Sequence, residues 1–302
     1  MIDYSKYLKK KRNVIFLFHG VISSNPFKIR NYTKKHLLTK EFKKVLDDLS
    51  KKGNCMSLDQ VYDTIKNKKN FKDFSYSITF DDGFYNNYKI AAPILKKRKL
   101  FATFYLTTSF IDKNEMSWID KIEHMIEKER KKIFIKNFNR KFRIDSKKSK
   151  INFLNSIRYL AKKNKTNLDE LVLEIKDQLN YKDKLNNLHN ILDKKMNWSQ
   201  VKKLNSSKYF TVGGHTVNHP ILSFLNDKDA QKEINNSINI IKKKLKIRVE
   251  HFSYPEGLKH TYKKRDINLL KKRGIKICPS AEFGINKKSS DLFNLKRIFV
   301  NS

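Results

Sequence analysis

Four short apolar runs, Val14–Phe18, Tyr76–Phe80, Phe101–Thr107 and "YFTVGG" at 209–214, constrain this chain more than any other feature, because stretches with helical periodicity separate them. Strands buried on both faces read as continuous apolar runs, and strands joined by helical crossovers form a parallel sheet. The periodic stretches predict helices at 40–52, with Phe42, Val45, Leu46 and Leu49 on one face before Gly53, and at 87–98, 227–246 and 265–272. A further helix is expected over "NWSQVKKLNSS", and late strands at "HFSYP" and "IKICPS". Residues 112–196 break the alternation with charged helical patterns around "IFIKNFNRKFRI", which reads as a hairpin turning near Asn137–Asn139. The expectation is one α/β barrel-like domain over residues 1–302 carrying a mostly helical insertion at 112–196.

The N-terminal "KYLKKKRNVIFLFHGVISS" imitates a short signal peptide, but its apolar run contains His19 and no small-residue cleavage site follows, so it is read as a buried first strand. Cys55 and Cys278 stand far apart, which suggests a reducing compartment with both thiols buried. The formal net charge of +37 suits an anionic partner, but the lysines spread over every segment and form no single stripe. A solvated basic surface is expected, with an anionic membrane face as a further partner and no specific nucleic acid. With no export signal, a cytoplasmic location peripheral to the membrane follows as an expectation.

Chemistry in such a domain gathers where strands end. Asp81 and Asp82 follow the run "SITF" and precede Gly83. Adjacent strand residues face opposite ways, so the two carboxylates share a site only if the backbone turns there. Their repulsion is relieved by a cation, and the alternative is an ordinary Asp-Gly turn with solvated acids. "VGGHTVNHP" places His215 and His219 four apart in a loop at a strand end, either as a metal pair or as histidines satisfied at the surface or in the core. One carboxylate and two imidazoles make a three-ligand set suited to a catalytic zinc with an open position, and a second carboxylate nearby could serve as general base.

"TFDDG" at 79–83, "GGHTVNHP" at 213–220 and "FSYPEG" at 252–257 resemble, in order and spacing, the polysaccharide deacetylases with the NodB-homology domain, carbohydrate esterase family 4, in the branch carrying Tyr-Pro-x-Gly turns. "MNWSQVKKL" and "SAEFGINKKSSDLFNLKRI" extend the resemblance, which covers 14–298 apart from the insertion. It implies a distorted (β/α) barrel of about seven strands and metal-dependent removal of an N-acetyl group from a sugar of a glycan or a lipid- or nucleotide-linked precursor, for surface polysaccharide. It implies Asp81 as catalytic base, Asp82, His215 and His219 as ligands of one divalent ion (zinc, with cobalt, nickel or manganese as alternatives), and the Tyr254 backbone near the oxyanion. Two family residues are missing: the arginine that orients the base is replaced by Ser253, and no histidine follows His260 to supply a general acid. Arg297 and His19 are the substitutes considered, against a fold-closing arginine and a histidine that supports a ligand loop. Phe84 and Tyr85 are expected to line the cleft, ahead of Trp118 and of a core Trp198. Glu256 is read as a solvated loop acid, and His251 and His260 as remote. The rival readings are an esterase or amidase acting on another acyl group, and a sugar-binding protein with a decayed site.

Overall fold

The computed structural model describes residues 2–183, 185 and 190–301. Strand Asn13–Phe18 lies between Ser75–Phe80 and Arg297–Phe299, parallel to both, and the sheet continues through Ala102–Leu106 and Phe210–Gly214. Every residue of the first two strands is buried. In "SYSITF", Tyr76, Ile78 and Phe80 join the main apolar core, whereas Ser75, Ser77 and Thr79 turn inward, the serines accepting from Asn13 Nδ2 at 3.3 Å.

Single parallel bridges complete the ring: Gly214 to Phe252, His251 to Ile277, and Pro279 to Leu295. Among the described residues the circuit therefore has seven staves, at 13–18, 75–80, 102–106, 210–214, 251–253, 277–279 and 295–299, closing through Arg297 beside Ile15. The expected strands in "HFSYP" and "IKICPS" are thus reduced to bridges; Pro255 and Pro279 remove ladder donors there. The short parallel pair Gly20–Ile22 with His36–Leu38 and the helix Leu58–Lys66 had no sequence expectation.

Helix Thr39–Lys52 buries Phe42, Val45, Leu46 and Leu49 against the barrel. Between the third and fourth staves, helices Trp118–Ile126, Lys147–Lys163 and Leu168–Gln178 enclose a separate cluster that includes Ile122, Phe153, Ile157 and Leu171. The hairpin pairs Lys132–Ile135 with Arg140–Arg143 and turns at Asn139, whose φ is 47°. Residues 184 and 186–189 of the 112–196 segment lie outside the described residues, and Met196 already packs in the barrel core. Buried ion pairs, Arg30 with Asp193 and Lys35 with Asp120, join the loop after the first stave to this segment. Removing one partner of such a pair strands a charge in low dielectric, so these contacts fix the position of that loop.

Both cysteines are free, but Cys55 is only half-buried, a correction to the expectation for that thiol: the strand Asn54–Cys55 is two residues long and lies at the sheet margin. Among the described residues no helix is long and apolar enough to cross a membrane.

Candidate metal centre and active site

Asp81 continues the second stave, its N–H donating to the Phe18 carbonyl at 3.1 Å. Asp82 and Gly83 then both take φ of +72°, two successive left-handed residues that end the strand alternation. Aspartate tolerates this conformation better than most side chains, and glycine adopts it freely. The two neighbouring carboxylates consequently face one centre: His215 Nε2 is 3.9 Å from Asp81 Oδ2 and 3.7 Å from Asp82 Oδ1.

His215 follows the fourth stave, its N–H donating to the Leu106 carbonyl at 2.9 Å. Its Nδ1 donates to the Ser253 carbonyl at 2.7 Å, which leaves the Nε2 lone pair aimed at the carboxylates. Burial is the main force that pushes its pKa down, to about 4, so the ring is neutral and able to act as a ligand. The path from His215 to His219 is a loop, pinned by Glu233, which accepts from the Val217 and Asn218 N–H groups at 2.9 Å each. This brings His219 Nε2 to 3.5 Å from Asp82 Oδ1. Donor atoms of Asp82, His215 and His219 lie within 4.8 Å of one another, and Asp82 Oδ1 is buried without a hydrogen-bond partner among the described residues. An orphaned carboxylate oxygen between two imidazoles is the donor set a divalent ion requires.

The strand before this loop needs its glycines. A Cβ on Gly213 would lie 2.7 Å from both the His251 carbonyl oxygen and the Tyr105 ring. Gly213→Ala is therefore expected to destabilise the protein by about 1–3 kcal/mol through overpacking, read as a lower thermal midpoint.

Arg297 is 1% exposed and grips Asp81 with both terminal nitrogens, 2.9 Å to each carboxylate oxygen. The same guanidinium donates to the Ser253 hydroxyl at 2.9 Å and to the Ser280 carbonyl at 2.6 Å. Burial alone would raise the Asp81 pKa, but Arg297 and His215 hold it below the usual carboxylate value. Asp81 is thus an ionised, oriented acceptor.

The triad, Asp81, Arg297 and His19 share a cavity of about 310 Å³. His19 packs its ring edge on Phe299, its buried Nδ1 has no partner among the described residues, and burial lowers its pKa against the opposing pull of Asp82 and Asp81. The Tyr254 side chain lies in the apolar core, stacked on Tyr262 at 3.8 Å, and does not line the cavity.

The expectation for Phe84 and Tyr85 is corrected. The double left-handed turn sends Phe84 inward, fully buried beneath the Lys195 ammonium at 3.6 Å, and Tyr85 lies under Lys194. Trp118 lines the cavity instead, whereas Trp198 packs against the core and donates to Asp112. Glu256 is also corrected: it lines the cavity and pairs with Lys162 of the segment at 2.6 Å. His251 is bonded to Asp59, and His260 is exposed; neither reaches the cavity. Lys35 and Arg158 line it without any sequence expectation, since the partners that hold them, Asp120 and Glu123, are 85 and 35 positions away.

The polysaccharide deacetylase family model matches residues 68–138 and 169–278. No curated protein matches the chain. Among solved structures, the Streptococcus pyogenes deacetylase PplD, in complex with acetate, superposes with a TM-score of 0.61 at 16% identity over 96% of this chain and 92% of its own. IcaB from Ammonifex degensii gives 0.62 at 16% over 97% and 94%. The BpsB deacetylase domain from Bordetella bronchiseptica gives 0.58 at 14% over 97% of each. At these identities the likeness is one of fold.

Proposed function

The chain belongs to the polysaccharide deacetylase family, and on that premise we propose that it is a metal-dependent hydrolase that removes the N-acetyl group from a sugar unit of a surface glycan. The observation that carries this reading is the Asp82, His215, His219 set, its first two members buried, beside an Asp81 that Arg297 keeps ionised. A sugar-binding protein with a decayed site would have no use for that ordered carboxylate. The described likeness to PplD, a deacetylase with acetate bound, supports the same reaction class.

Two imidazoles and a carboxylate suit zinc, with cobalt, nickel or manganese as substitutes. A cation held by Asp82, His215 and His219 would supply Lewis acidity, polarising the acyl carbonyl and easing the ionisation of water. Asp81, held at the cavity wall by Arg297 through both carboxylate oxygens, accepts the proton of the attacking water. The backbone N–H of Tyr254, with no partner among the described residues, donates to the oxyanion as the carbonyl becomes tetrahedral. His19, in the wall of the same cavity, is placed to give the departing amine its proton, with the Asp82 and Asp81 charges opposing the burial that lowers its pKa.

Metal analysis and acetate release on a panel of N-acetylated and O-acetylated glycans test this reading together. Wild type is expected to hold about one ion per chain, and Asp82→Ala or His215→Ala less than about a tenth of that after dialysis. Full metal content in both variants, or ester cleavage with no amide cleavage, would overturn it.

A further inference from the structure

The ends of the staves farthest from the metal centre carry a surface that the proposed reaction does not use. Asn13 and Ser75 begin the first two staves, whereas Phe18 and Phe80 lead to Asp81 at the other end. We propose that this surface, built on residues 6–12 and flanked by Phe74 and Phe283, docks the protein on an anionic lipid bilayer, with its cations over the headgroups and the two phenyl rings among them.

The run "KYLKKKR" at 6–12 contains five cations and no acid, and Lys9, Lys10, Lys11 and Arg12 are all exposed. An antiparallel bridge between Asn13 and Asn286 brings the exposed Lys287 and Lys288 beside the run. The neighbouring acids are engaged elsewhere: Asp73 accepts the Lys11 backbone N–H at 2.9 Å, and Glu282 pairs with Lys296. Among the described residues these six cations therefore have no carboxylate partner, and each is free to be drawn to anionic headgroups within a Debye length.

Charge alone describes much of this molecule, whose formal net charge is +37. The aromatic residues set this face apart. Phe283 is 69% exposed, the most of any large apolar side chain among the described residues. It stands edge-on to Tyr7 at 5.7 Å, and the Lys6 ammonium lies 5.2 Å from the same tyrosine ring. On the other side of the run, the Phe74 N–H donates to the Lys9 carbonyl at 3.1 Å, and the Phe74 ring is also exposed.

Phe74 has a φ of 55°, and it is the only apolar side chain among the described non-glycine residues with positive φ. That conformation suits glycine or asparagine, and an exposed ring gains little from the core, so neither backbone nor packing explains a phenylalanine here. One exposed apolar residue is ordinary in a soluble protein. Two phenyl rings on either side of an unpaired basic run reproduce the division of labour of an interfacial anchor, in which apolar groups enter the headgroup boundary and cations meet the lipid phosphates.

Docking by this face leaves the chemistry uncovered. The six residues of the first stave span about 20 Å, so the cavity beside Asp81 stands at about that height above the lipid.

Co-sedimentation with vesicles tests the proposal. Wild type is expected to bind vesicles containing about 30% phosphatidylglycerol at least about tenfold more tightly than vesicles of phosphatidylcholine alone. Phe283→Ser lowers that affinity by at least about fivefold, and Phe283→Trp, which keeps an interfacial ring, by less than about twofold. Lys9→Glu with Lys10→Glu lowers it by at least about tenfold. Lys147→Glu with Lys148→Glu makes the same change in net charge at the exposed start of helix Lys147–Lys163, and lowers it by less than about threefold. All these positions are exposed, and thermal melts establish that each variant is folded. Equal loss in the two charge-reversed pairs would reduce the attraction to net charge, and Phe283→Ser binding as tightly as wild type would reduce it to a counterion layer. Either result overturns the proposal, as does equal binding to the neutral vesicles. Binding is read without turnover, so none of these outcomes depends on the deacetylase reading.

Discussion

Asp81→Asn is expected to lower acetate release by about 10²–10⁴-fold while the metal content stays at the wild-type level, the range lost when a positioned general base is removed. The substitution keeps the shape of the side chain and the three ligand residues, and it removes only the negative charge that accepts a proton. Two features make the separation of effects sharp. Both Asp81 oxygens accept from Arg297, the nearer lying 3.9 Å from His215 Nε2, whereas the orphaned oxygen between both imidazoles belongs to Asp82. The stranded Arg297 guanidinium would still donate to Ser253, Ser280 and Thr79, so the cost in stability is smaller than that of removing the arginine. Turnover at the wild-type rate would remove Asp81 as base, and loss of the ion would make it a ligand instead.

The parts of this architecture that were legible in the sequence are those in which one segment declares its own environment. Val14–Phe18 and Phe101–Thr107 are apolar because both faces are covered, and they are barrel staves. Gly83 announced a turn, and the turn is what brings Asp81 and Asp82 to one centre. The staves at 251–253 and 277–279 are fainter because single bridges hold them. Phe84 departs from the expectation because two left-handed residues in succession, Asp82 and Gly83, turn its side chain into the interior. Lys35 and Arg158 could not be read at all. Their distinction lies in pairing with the buried Asp120 and Glu123, and in a chain with 67 Lys and Arg no local pattern separates two partly buried cations from their solvated neighbours.

Arg297→Ser is expected to destabilise the protein by about 3–5 kcal/mol, the cost of leaving a buried carboxylate without its partner, and to cut kcat as well. The stability effect alone would not separate an orienting arginine from one that merely closes the barrel, since Arg297 sits in the last stave and pairs with Ile15 of the first. Ser253 makes the separation. It occupies the place where the family resemblance implies an orienting arginine, its hydroxyl touches the Arg297 guanidinium at 2.9 Å, and its carbonyl holds His215. The space that a larger side chain at 253 would need is the space Arg297 fills, so the two positions exclude one another. A Ser253→Arg, Arg297→Ser double variant therefore supplies the same cation to Asp81 from the fifth stave rather than the seventh. Ser253→Arg alone is expected to lower stability by crowding two guanidinium groups together, and the double variant is expected to recover at least about tenfold in kcat over Arg297→Ser, about 1.4 kcal/mol of barrier, at a temperature where all three proteins are folded. A double variant that regains the melting temperature but no turnover would show that Arg297 only closes the barrel; one that regains both ties the rate to a guanidinium on Asp81, whichever stave provides it.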